Sequence, residues 1–162
     1  MEPIKEIRLI RDVVVNRKRD KKLLFDPINN KKWYIRDQDV AAIPRYAFLS
    51  TKVQLVLFSL ELLASNDDVA LEYKRRGLKP DPRASIEANI QDPGLATSHP
   101  NVTIWKDRKG QWHAVAFDNF GEDTGGTVYA VPAIEPWSGE YLFAGVPIHN
   151  KYIPINHNGL LQ

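Results

Sequence analysis

Four histidines, at positions 99, 113, 149 and 157, are the residues of this chain best suited to move a proton near neutral pH. None sits in H-E-x-x-H or another close pair that would hold a metal. His113 follows Trp112 in an alternating stretch that reads as a strand, with Lys106, Arg108 and Lys109 a few residues upstream. A histidine and a cation on one sheet are the tools of metal-independent RNA cleavage. His113 would carry the proton, and a cation such as Lys106 would stabilise the phosphorane charge. The competing reading of a lone histidine on a half-buried strand is a hydrogen-bonded packing residue.

Other chemistry finds less support. The glycines at 121, 125 and 126 form neither a dinucleotide fingerprint nor a phosphate loop. Asp118, Glu122 and Asp123 fall in a glycine-rich loop, but their spacing misses the calcium-loop pattern. No G-x-S-x-G is present, and there is no cysteine to serve as nucleophile, thiolate ligand or disulfide partner. The expectation is a protein without metal or cofactor.

Charge and aromatic residues suggest binding instead. The net charge is +2, yet residues 1–36 hold eleven Lys/Arg against five Asp/Glu, while residues 37–162 hold eleven against fifteen. Arg17, Lys18, Arg19, Lys31 and Lys32 make the N-terminal region a candidate for phosphate or an acidic partner. Trp33 and Tyr34 lie among these cations and could stack bases or anchor a protein contact, as could Trp137 and Tyr152. A solvated, edge-protecting set of cations explains the same charge without a ligand.

These residues need elements to position them. Thr51 to Ser65 (TKVQLVLFSLELLAS) is apolar nearly all round and starts with the T-x-x-Q spacing of a capping box. It reads as a buried central helix, too short and too interrupted to span a bilayer. Before it, Ile7 to Val15, Lys21 to Phe25 and Lys32 to Arg36 read as a three-stranded antiparallel meander carrying the basic face. After it, a helix is expected over about 67–76, closed by Gly77, and another starts at Asp81-Pro82. Val102 to Lys106 and Gln111 to Phe117 form a hairpin around Asp107-Arg108-Lys109-Gly110. Strands over 127–131 and 141–146 follow.

This order, without βαβ alternation, predicts an α+β fold: a mainly antiparallel sheet packed around a central helix at about 51–65, with two shorter helices. Residues 1–147 are expected to form one domain. Residues 148–162 are expected to be an extended C-terminal tail, packed on its own domain or reaching a neighbouring subunit through Tyr152. The N-terminus lacks the apolar core of a secretory signal, and nothing reads as a membrane span, so a cytoplasmic protein is expected. The functional expectation is a non-enzymatic module that binds a protein partner or itself, of the accessory, inhibitor or assembly kind found in bacterial and viral systems. The alternatives are a nucleic-acid binder using the basic N-terminal sheet and a ribonuclease centred on His113.

Overall fold

The apolar run in the middle of the chain is a strand, not a helix. In the computed structural model, which describes residues 8–28, 31–45, 51–60, 63–118 and 127–148, Lys52–Phe58 forms β3. It pairs antiparallel with β1 (Arg8–Val14) on one side and with β8 (Leu142–Pro147) on the other. A central strand covered on both faces reads as a continuous apolar run, which mimics a helix buried on all sides. Val56 and Phe58 enter one core, while Leu55 and Leu57 enter another on the opposite face.

Among the described residues, β3 belongs to a mixed sheet of eight strands. Its order is β1-β3-β8-β5-β6-β7-β2, with β4 (Leu78–Lys79) paired to β8 off this path. β5 (Asn101–Lys106), β6 (Trp112–Asp118) and β7 (Thr127–Pro132) form the expected antiparallel run, whereas β5 meets β8, and β7 meets β2 (Lys31–Ile35), in parallel. The N-terminal meander is therefore not formed. β1 and β2 lie at opposite edges of the sheet, and the segment between them contains a 3-10 turn, Lys21–Leu23, where a strand was expected. Asp20 caps that turn by accepting from the Lys22 N–H at 2.9 Å, and the winding sends Leu24 and Phe25 under the sheet. With the meander gone, the described residues form no single basic N-terminal sheet.

Helices cover both faces. α2 (Asn66–Arg75) lies on the face of Val56 and Phe58, burying Val69 and Tyr73. Its start is set by a capping box between Ser65 and Asp68, and Gly77, at φ 66°, takes the left-handed position just beyond its end. Gly145 on β8 lets Tyr73 approach: a Cβ there would stand 2.8 Å from Tyr73 Cε1. The Tyr73 hydroxyl donates to the Ala144 carbonyl at 2.7 Å, and burial pushes its pKa up.

The opposite face carries α3 (Pro82–Gln91), α4 (Leu95–Ser98) and α1 (Asp37–Ala41). α3 begins as its Asp-Pro signal requires, with the Asp81 side chain accepting from the Ala84 N–H. Ala84 and Ala88 meet Leu55, Leu57 and Ala144, while Ile86 meets Val115 and Phe117. Among the described residues no helix is long and apolar enough to cross a membrane. Of the tail, only Ile148 lies among the described residues. Its N–H donates to the Gly77 carbonyl at 2.9 Å.

Candidate functional site

His113 is positioned by the hairpin that the sequence announces. Asp107 closes the β5–β6 turn, its Oδ1 accepting from the Lys109 and Gln111 N–H groups at 2.8 and 2.9 Å. Its other oxygen, Oδ2, stands 2.8 Å from His113 Nε2. Alternation along β6 sends His113 to the α1 side of the sheet together with Val115 and Phe117. There Nδ1 meets Asp39 Oδ1 at 2.5 Å. Asp39, fully buried in α1, is held in turn by Arg36, which donates from Nε at 2.7 Å and from Nη2 at 3.2 Å.

Trp105 completes the site. Its indole stacks on the imidazole at 5.5 Å between centroids, and its Nε1 donates to the Ala42 carbonyl at 2.9 Å. The chain Arg36–Asp39–His113–Asp107 thus staples α1 to the hairpin. Both ring nitrogens face carboxylate oxygens, so the imidazole is held between two acceptors. Hydrogen bonds from His113 and from the Gln111 and Lys109 backbone hold the Asp107 carboxyl below its ordinary pKa.

A carboxylate that orients an imidazole is half of a general acid–base pair. The other half needs a ring nitrogen that can reach a reacting group. Here Nε2 is taken by Asp107, and only 3 % of His113 is exposed. Lys106 does not join it. As the neighbour of Trp105 on β5, it projects to the opposite face, where its ammonium lies 5.5 Å from the centroid of the Trp112 ring. His113 and Lys106, one pairing that the ribonuclease reading offered, thus lie on opposite faces of the sheet.

The other candidate residues are dispersed. Arg17 is buried and pairs with Asp81 at 2.8 Å, so it is a structural ion pair rather than a surface cation. Arg19 Nη1 stands 2.8 Å from Glu87, and Lys18 is exposed. Lys31, Lys32 and Trp33 lie on edge strand β2, and their side chains are outside the described residues. Tyr34, on the same strand, is exposed. Trp137 is buried and donates from Nε1 to Asn66 Oδ1 at 2.7 Å, so its indole supports the fold. Tyr152, His149, His157, Glu122 and Asp123 lie outside the described residues. Asp118 accepts a hydrogen bond from the Tyr141 hydroxyl, whose pKa is raised by burial and then by that bond. His99 ends α4, its pKa lowered by burial and then by Arg11.

Sequence reasoning missed Asp39. The role of Asp39 toward His113 carries no local signal, because His113 is 74 residues away. Among the described residues no three His, Cys, Asp or Glu side chains are grouped to hold a metal ion. Comparison with protein-family models, with curated proteins and with solved structures finds no match to this chain.

Proposed function

We propose that the chain acts by binding another protein, through the surface built around Leu63 and Ile134. The observation that carries this reading is the exposure of two large aliphatic side chains on segments that are fixed from beneath. Leu63 is 68 % exposed and Ile134 is 75 % exposed. Leu63 adjoins Ala64, which exchanges two backbone hydrogen bonds with Trp137 at 3.1 and 2.8 Å. Ile134 adjoins Ala133, whose carbonyl accepts from Asn66 Nδ2 at 2.9 Å, and Glu135, which accepts from the Asn66 N–H at 2.7 Å.

Asn66 and Trp137 thus clamp both segments from below. Little ordering entropy remains to be lost when a partner covers the aliphatic groups, which favours affinity. Trp137, expected as a contact residue, supports this surface from inside. The reading needs no cofactor and no proton transfer.

The test is the double variant Leu63→Lys, Ile134→Lys. Both sites are exposed, so the thermal midpoint is expected to stay within experimental error of wild type. Association with the partner that co-purifies from the native source, quantified by mass spectrometry after nuclease treatment, is expected to be lost. Undiminished association in the folded variant refutes this surface.

A further inference from the structure

The start of α3 holds a guanidinium whose best binding edge is unused. Arg83, the second residue of α3, is 2 % exposed. Its Nη1 donates to the Arg19 carbonyl at 2.8 Å. Its Nε and Nη2 are buried and have no hydrogen-bond partner among the described residues. Those two nitrogens form the side-on fork of the guanidinium, with parallel N–H groups matched to two oxygens of one oxyanion.

The carboxylates nearby are committed elsewhere. Asp81 caps α3 and pairs with Arg17, and Glu87 pairs with Arg19. The surrounding charge is cationic beyond what these two offset. Burial lowers the Arg83 pKa most, and repulsion from Arg45, Arg17 and Arg19 lowers it further, against an attraction to Asp81 that raises it. Lys21 Nζ donates to the Ala41 carbonyl at 2.6 Å, and its pKa is lowered by burial and then by repulsion from Arg45 and Arg83. Arg45 is exposed and Lys21 half-exposed, so the cluster reaches the surface on their side.

We propose that this cluster is a binding site for a tetrahedral oxyanion of the phosphate class, with the Arg83 fork gripping two of its oxygens and Lys21 and Arg45 neutralising the outward ones. A dianion fits the excess of cations better than a monocarboxylate does. It would also supply the acceptors that the fork lacks, since a buried donor without an acceptor carries a desolvation cost with no return. The fork is closed over without a ligand, so binding requires the cationic groups to part. Their mutual repulsion lowers the cost of that step. The site stands independently of the protein contact at Leu63 and Ile134.

The experiment is thermal denaturation of the full chain in increasing inorganic phosphate, against sodium chloride at matched ionic strength. A saturable rise is expected, reaching about 5–10 °C at a hundredfold excess over the dissociation constant. Arg83→Lys keeps the charge and removes the fork, so affinity should fall about tenfold or more. The surface variant Lys21→Gln, Arg45→Gln leaves the fork in place and should also weaken binding, which keeps the test decisive if Arg83→Lys does not fold. A parallel titration with glycerol phosphate separates the sources. Binding of both ligands assigns the site to a phosphoryl group on a larger molecule, and binding of the inorganic ion alone assigns it to the free oxyanion. The proposal is overturned if phosphate shifts the wild type no more than chloride does. It is equally overturned if the shift survives undiminished in the folded variants.

Discussion

Two buried charged constellations lie on the same face of the sheet, and they are completed differently. Around His113, the Arg36 fork grips Asp39, and both ring nitrogens have an acceptor. Around Arg83, the carboxylates serve Arg17 and Arg19, and one edge of the guanidinium has nothing to donate to. A constellation that satisfies itself binds the fold together and has little left to offer a ligand. One that leaves a buried donor pair open is a more promising place for binding chemistry. Perturbed charge alone does not separate the two cases; the accounting of donors and acceptors does.

The largest effect that tests this contrast is at Asp39. Asp39→Ala leaves Arg36 and His113 without their shared carboxylate in a buried site. It should destabilise the protein by about 3–5 kcal/mol, the range for breaking a buried pair from one side. Urea denaturation measures it, and a loss below about 1 kcal/mol would show that the staple contributes little. A smaller, pH-dependent effect is expected at Asp107. Its folded pKa lies below the ordinary 3.8. Its contribution is therefore fully present above that value and is lost as pH falls through the lower, folded one. The urea midpoints of wild type and Asp107→Asn should differ at neutral pH and converge on acidification. A gap that stays constant with pH would remove Asp107 from the account.

The smallest effect belongs to Arg83. Arg83→Met removes a buried charge that is repelled by its neighbours and has one hydrogen bond to lose. In phosphate-free buffer, stability should change by less than about 1 kcal/mol, in either direction. A loss comparable to that of Asp39→Ala would mean that Arg83 is structurally completed after all, and the contrast would collapse.

Much of the local structure was legible in the sequence. Asp81-Pro82 placed α3, Gly77 closed α2, and Asp107 to Gly110 placed the β5–β6 hairpin, because caps and turns are settled by neighbouring residues. His113 was singled out on an alternating stretch that β6 forms. The Asp39 contact was not legible, because α1 and β6 meet only in the folded chain.

The sequence by itself determined an α+β chain without cysteine, with the starts of α2 and α3, its C-terminal strands and a cationic stretch over residues 1–36. These follow from propensity, capping and alternation, all of which act within a few residues. Tertiary structure alone decided that Lys52–Phe58 is a strand, because a run that is apolar on every side records complete burial and not the geometry that achieves it. It alone decided that β1 and β2 lie at opposite edges, which dissolves the expected basic sheet. It also decided which cations are spent on partners and which are not. Arg17 and Arg83 are the same residue type, both buried at the start of α3, and only the position of Asp81 makes one a completed ion pair and leaves the other with an open fork.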